Sequence, residues 1–301
     1  MCASNAMTST GSTPYGLICK AIWLFGKSRL VCKPGGFFCA RNPSAIRVAA
    51  CLNLRSMTQY RSILYGNYHS TQSGRASGTD ARALFEREKE QFSLETIPLL
   101  GNLPRAARIL DIGCGSGSLI AALQGAGFTH CKGIDVSKEQ VQLAHSLGVH
   151  AVEEGDVMQH LRDTTAAYDL ICGMDIIEHF TKDELTELLQ QLAAALKPGG
   201  RVIFRTPNLD APMASVFAHG DFTHENYLNA SSASQVMLAC GFQKVEVRPS
   251  LMRAPGFLKE SIRRIAFGLL AFRLKLTLFA TARSTRGVLF TPNMIIVAFK
   301  P

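Results

Sequence analysis

Between residues 108 and 205 short apolar runs alternate with segments whose apolar positions recur every three or four residues. The runs are Arg108–Ile112, Cys131–Ile134, His150–Glu153, Tyr168–Gly173 and Arg201–Arg205. They are too short for helices, and glycine or acid bounds most of them, so they read as buried strands. Helices are predicted between them: about Ser116–Gln124, one capped by Ser137 with Gln140, and one capped by Thr181 with Glu184. In the last, Leu185, Leu188, Leu189, Leu192 and Leu196 share a face, and Pro198, Gly199 and Gly200 stop it. This alternation predicts an α/β fold, a Rossmann-like three-layer sandwich with helices on both faces of a mostly parallel sheet.

The flanks are less regular. A helix is predicted from about Asp80 to Leu99, with apolar Leu84, Phe85, Phe92 and Leu94 among charges. Ahead of it, MTQYRSILYGNYHSTQSG places Tyr60, Tyr65 and Tyr68 near His69 and Gln72. Residues 57–107 then form a cap over a cleft, or a plain packing helix. After the fifth strand come a polar loop (Thr206–Asn229), a short helix (about Ser231–Cys240), a strand (Phe242–Val247) and a last strand (Met294–Phe299). An insert at about 250–290 holds a basic amphipathic segment, Phe257–Ala282.

Charge divides the 301 residues into three parts. Residues 1–56 carry seven Lys/Arg and no acid, 57–247 carry 15 against 22 acids, and 248–301 carry ten against one. An acidic body with basic ends is not a nucleic-acid-binding face, so no nucleic-acid partner is expected. The first 56 residues read as a disordered basic extension or an over-long start with Met57 as first residue; in composition they also resemble a transit peptide. The body, 57–301, reads as one domain. The nine cysteines form no Cys-x-x-Cys pair, so structural zinc is not indicated. Cys114, Cys131, Cys172 and Cys240 read as small core residues of a protein in a reducing, cytoplasmic compartment.

The chemistry centres on RILDIGCGSGSL, Arg108–Leu119. Strand, glycine turn and helix in that order open a nucleotide-binding unit. A dinucleotide fingerprint would want its third glycine where this chain has Ser118. Asp111 at the strand end would repel a pyrophosphate and attract an ammonium or a sulfonium. S-adenosyl-L-methionine carries both cations and is the expected cofactor. The turn supplies Asp111, Gly113, Cys114, Gly115 and Gly117. Asp135 with Val136 follows the second strand, where the acid can accept both ribose hydroxyls. Asp156 with Val157 is placed to meet the adenine amine and flank the ring, and Asp175 with Ile176 to line the methionine side.

In combination, ILDIGCGSG, GIDVS, EEGDV, DIIEH and LKPGGRVIFRTPN resemble the class I S-adenosylmethionine-dependent methyltransferases over about residues 57–250. The resemblance implies a seven-stranded sheet with an antiparallel last strand, and methyl transfer as the activity. The loop GDFTHENYL and the opening YGNYHSTQ are similar to a bacterial subgroup that accompanies surface-polysaccharide genes. That narrower resemblance implies O-methylation of a sugar hydroxyl on a glycan or lipid-linked intermediate. The long basic tail is a departure from the core family.

An acceptor hydroxyl must lose its proton, and histidine is the natural base. His224 in the polar loop is the first candidate, oriented by Asp221, and His179 the second. A divalent ion held by Asp175, Asp221 and His224 is a further arrangement; no spacing in the sequence decides for it, and no metal is assigned. A Thr-His pair in the loop is also compatible with a small-molecule O-methyltransferase of the quinone-biosynthesis type. An NAD-dependent oxidoreductase, disfavoured by Ser118 and Asp111, and a non-catalytic cofactor-binding domain complete the alternatives. The basic segment at about 257–282 is expected either to lie on the inner face of an anionic membrane or to pack as a lid.

Overall fold

The structure, a computed structural model, describes residues 59–65, 80–250, 254 and 256–301. The predicted extension at 1–56, and Tyr68, His69 and Gln72 of the predicted cap, lie outside the described residues.

Helices α1 (Gln59–Tyr65) and α2 (Ala81–Glu95) precede the sheet. Then follow β1 (Arg108–Ile112), α3 (Ser118–Gly125), β2 (His130–Asp135), α4 (Lys138–Ser146), β3 (Val152–Glu154), α5 (Val157–Leu161) and β4 (Tyr168–Met174). A 3-10 turn (Ile177–His179) leads to α6 (Lys182–Ala195), β5 (Leu196–Pro207), α7 (Ala214–Ala218), α8 (Ala230–Ala239), β6 (Gln243–Ser250), α9 (Phe257–Ala280) and β7 (Asn293–Phe299). The seven strands form one sheet in the order β3-β2-β1-β4-β5-β7-β6. All neighbours run parallel except β7, which is antiparallel to both β5 and β6.

Successive residues of a strand face opposite sides of a sheet. Accordingly Ile109 joins a buried cluster with Phe92, Leu123 and Val141. Leu110 and Ile112 join another with Leu188, Leu192 and Met237. Thr181 and Glu184 form the predicted capping box. At Ser137 only half of it forms: the hydroxyl accepts from the Gln140 N–H, but the Ser137 N–H donates to Asp135 Oδ1. The four cysteines of the described residues are buried free thiols.

Three local expectations need correction. Strand β5 starts at Leu196, not Arg201: Leu196 already pairs with Tyr168, and a bulge between Tyr168 and Leu170 absorbs the Pro-Gly-Gly run. Leu94 is exposed rather than packed, because α2 buries the face carrying Phe85 and Phe92. The loop after β5 contains a helix, α7, of five residues. So short a helix is hardly longer than one period of the pattern that would reveal it.

Strand order reverses at β1, whose neighbours β2 and β4 lead the chain to opposite edges. The loops leaving β1 and β4 therefore diverge, and a cleft opens beyond their carboxyl ends.

Candidate active site

That cleft is a cavity of about 370 Å³. Its rim carries five carboxylates, Glu88, Asp111, Asp135, Asp156 and Asp175, and two guanidiniums, Arg61 and Arg205. Both guanidiniums are already engaged. Arg61 donates to both Glu184 oxygens, at 2.8 and 2.9 Å, and to the His179 carbonyl at 3.0 Å. Arg205 donates through Nε to both Asp175 oxygens at 3.1 Å, and through Nη2 to Oδ2. The cavity is thus built for a cation.

Asp111 is the most costly of these acids. It is 2% exposed, and its Oδ1 has no hydrogen-bond partner. Burial first, then the neighbouring Asp135 charge, hold its carboxyl well above the usual range. A buried acceptor left unpartnered at a cavity wall is stabilised by a ligand that brings positive charge. This fits the ammonium and sulfonium of S-adenosylmethionine and does not fit a pyrophosphate.

The glycine turn explains itself locally. The N–H groups of Gly113 and Cys114 donate to the Ile134 carbonyl, at 2.8 and 3.2 Å, and that of Gly115 donates to Asp135 Oδ2 at 2.8 Å. Three of the donors a phosphate cradle would need are committed to β2 and its terminal acid. Asp135 Oδ1 accepts from the Ser137 N–H at 2.8 Å, so both carboxylate oxygens are fixed at the cavity wall. Burial raises the Asp135 carboxyl, and these amides offset part of that rise.

Gly113 has φ +62°, and a Cβ there would stand 2.6 Å from Cδ1 of Ile176. Gly113→Ala is therefore expected to lower stability by about 1–3 kcal/mol, read as a shifted urea midpoint. Gly117 has a different task. It lies outside the cavity lining, its φ is +77°, and a Cβ would meet Val149 Cγ1 at 2.9 Å, so it lets α3 start against the residues before β3. Asp156 lines the cavity and also caps α5 through the Gln159 N–H at 3.0 Å. Cys114, Val136, Val157, Asp175 and Ile176 line it as well.

Of the three histidine-loop candidates, only His179 lines this cavity. His224 faces a small separate pocket, and its Nδ1 contacts the Ala218 carbonyl at 2.9 Å. Its ring meets the His179 ring edge-on, centroids 4.8 Å apart. Asp221 does not orient His224. Its Oδ1 accepts from the Thr223 hydroxyl at 2.6 Å, and the Thr223 oxygen contacts His179 Nδ1 at 2.8 Å. With its hydrogen given to Asp221, the Thr223 oxygen accepts from Nδ1–H of His179, and the Thr223 backbone carbonyl also accepts from this ring. Burial first, then His224, lower the His179 ring to about 4, so it is neutral at physiological pH.

The ion-binding set weighed from sequence is not the one assembled. Asp175 is turned to Arg205, and Asp221 to Thr223. Instead Glu178, His179 and His224 each offer one ligand atom, all within 4.8 Å of one another. Glu178 is 2% exposed and its Oε1 is unpartnered. Burial first, then Asp175, raise its carboxyl.

Several lining residues escaped the sequence reading. Glu88 of α2 accepts from the Ser118 hydroxyl at 3.1 Å and faces the cavity between Phe85 and Phe92. An acid inside an apolar stripe was the available signal. Arg205 was another: a cation at the end of an otherwise buried strand. Arg61 on α1 lines the cavity beside Tyr65, a tyrosine the sequence reading did single out, and Tyr60 donates to Glu225. Burial holds the Tyr65 phenol up at about 12.

Comparison with known proteins agrees with this geometry. Residues 84–247 match the family described as Methyltransferase domain. A ubiquinone biosynthesis O-methyltransferase of Aeromonas salmonicida is 36% identical over 109 residues, 34% of this chain and 43% of the relative. One from Bordetella avium is 27% identical over 180 residues, 53% of this chain and 70% of the relative. The chain thus spans less than half the length of the first of these relatives. Among solved structures, a SAM-dependent methyltransferase from Archaeoglobus fulgidus superposes with TM-score 0.55 at 19% identity, covering 73% of this chain and all of that one. Phosphoethanolamine N-methyltransferase 2 of Haemonchus contortus, solved in complex with S-adenosyl-L-methionine, gives 0.52 at 17% identity, covering 79% of this chain and 60% of that one. At such identities the superpositions speak for the fold. Family match, sheet order and cation-seeking cavity converge: this chain belongs to the class I S-adenosylmethionine-dependent methyltransferases.

Proposed function

We propose that the chain methylates a hydroxyl of a small, largely apolar aromatic molecule, with S-adenosylmethionine as donor. One observation carries this reading: a buried unpartnered carboxylate (Asp111) and a neutral, oriented imidazole (His179) line the same cavity. When bound, S-adenosylmethionine supplies a methyl carbon activated by its sulfonium. Asp135 offers fixed oxygens to the ribose hydroxyls, and Asp111 offers its anion to the cationic end. His179 takes the hydroxyl proton on Nε2, with Thr223 and Asp221 behind Nδ1 steadying the charge that forms. Tyr65, Phe180 and Met174 give the wall an apolar surface for a ring. The quinone-pathway names of the relatives support this acceptor class, whereas the glycan suggested by the loop GDFTHENYL finds no support in those names.

A second reading keeps the acceptor and changes the means of removing its proton. A divalent ion held by Glu178, His179 and His224 would acidify the hydroxyl; two imidazoles and a carboxylate suit zinc and its transition-metal neighbours. Dialysis against a chelator distinguishes the two, since proton transfer by His179 alone survives it.

The test is transfer of labelled methyl to a prenylated catechol, to plain catechol and to a free hexose. Label is expected on the catechols and absent from the hexose. Cofactor binding without label on any phenol would overturn the acceptor class. No cofactor binding at all would overturn the donor.

A further inference from the structure

Helix α9 runs for 24 residues, about 36 Å, and none of them is buried. Phe267, Ala271, Leu274 and Leu278 are half-buried on one face. On the opposite face Leu258, Ile262, Ile265, Leu269, Phe272 and Leu276 recur at alternating spacings of four and three, and each is more than half exposed. Such a stripe in water is unfavourable and marks a surface that something covers. Among the described residues no helix is long and apolar enough to cross a membrane, so the stripe is not a span.

We propose that α9 docks in the plane of an anionic phospholipid surface. Charge selects this occupant. At 100° per residue, Arg264 and Lys275 flank the stripe on one side and Arg273 and Lys259 on the other. The single acid of the helix, Glu260, is held by Arg263 and Arg264 at 2.7 and 3.1 Å. The alternating spacing would also suit a two-helix seam with a second copy. That seam would set cation against cation in either orientation. Residues 1–56, with seven Lys/Arg and no acid, would meet the same repulsion. Anionic headgroups match the flanks while acyl chains cover the stripe.

The attachment of α9 gives the docking a consequence. Ser250 at the end of β6 and Asn293 at the start of β7 pair with each other, and Asn293 also pairs with Pro207 at the carboxyl end of β5. The insert therefore leaves and rejoins the sheet at the rim where the cavity opens. Docking would hold that rim near the bilayer, where an amphiphilic acceptor resides. The membrane contact itself stands apart from the identity of the acceptor.

The test is flotation of the full chain with phosphatidylcholine vesicles, with and without 30% phosphatidylglycerol. Binding is expected only with the anionic lipid and is expected to fade in 0.5 M salt. Ile265→Glu with Leu269→Glu should weaken it by at least about tenfold, because two large apolar side chains leave the interface. Arg264→Glu with Lys275→Glu should do the same through charge. Both pairs are exposed, so melting temperature should stay unchanged. No binding to anionic vesicles, or binding indifferent to the stripe variants, overturns the proposal. So does a dimer in sedimentation that Ile265→Glu dissociates, which would assign the stripe to a second copy. Anionic-vesicle binding that appears only after residues 1–56 are deleted would show that segment to be the resident cover, and equally overturns it.

Discussion

Asp111→Asn is expected to do two opposite things: raise the melting temperature of the ligand-free protein and weaken S-adenosylmethionine binding by about ten- to a hundredfold. The stabilisation follows from the raised pKa of the buried carboxyl. As pH climbs past the ordinary carboxylate value, about 3.9, the unfolded chain gives up this proton while the folded one retains it. Stability then falls as pH rises toward the folded value, and the full penalty persists above it. An amide of the same shape carries no such penalty. The gain should therefore be largest at neutral pH and vanish near pH 4. Binding reverses the sign, because the cationic donor stabilises the anion and displaces its proton. Calorimetry in two buffers of different ionisation enthalpy should show less proton release for the variant than for the wild type. Equal affinity of the two proteins would remove Asp111 from the cofactor site.

His179→Ala should lower turnover by about 10²–10⁴ and leave cofactor affinity near wild type. With its ring at about 4, the base is in its working form throughout the physiological range. The rate should thus be flat above about pH 5 as far as this group decides it. Thr223→Val tests the chain behind it. Loss of the hydroxyl leaves the ring only the residue-223 backbone carbonyl as acceptor there, so its orientation loosens and turnover should fall while the acceptor's KM changes little. The same shift bears on folding. The unfolded ring binds its proton near 6.5, the folded one near 4, so stability falls as pH drops through that window. The Ala variant lacks that part of the loss. Unchanged turnover in His179→Ala would return the role of base to His224 or to solvent.

The sheet and the acids at its strand ends were legible because their signals are local. An apolar run that ends in Asp111, Asp135 or Asp175 states in a few residues both that a strand is buried and that its end is polar. Even β7, far along the chain, declared itself as Met294–Phe299. The acceptor side was not legible in this way. His179 and Thr223 are 44 positions apart, and only the folded loop after α7 brings Thr223 onto Nδ1. Neighbourhood in sequence pointed instead to Asp221 beside His224, the pairing that the fold declines. Arg61 lies 123 positions from Glu184, and neither residue alone suggests the other. Glu184 is a good case of a residue with two tasks. Its spacing from Thr181 revealed the cap. Burial pushes its carboxyl up, yet hydrogen bonds from Arg61 and Thr181 outweigh that and bring it down to about 2. The clamp on α1 consequently stays ionised at any pH the folded chain meets.

The hairpin of β6 and β7 has an implication for how this scaffold changes over time. Since Ser250 faces Asn293 on one rung, everything between them is a detour that returns to its point of departure. Its return limb is tied down, since the Leu289 and Thr291 carbonyls accept from the Asn208 side-chain amide and the Pro292 carbonyl from the Asn208 N–H. The helical part, α9, has no buried residue, so its length and composition can change without shifting a pair of the sheet. On the docking proposed for α9, the place where the enzyme works and the course of its chemistry are separately adjustable.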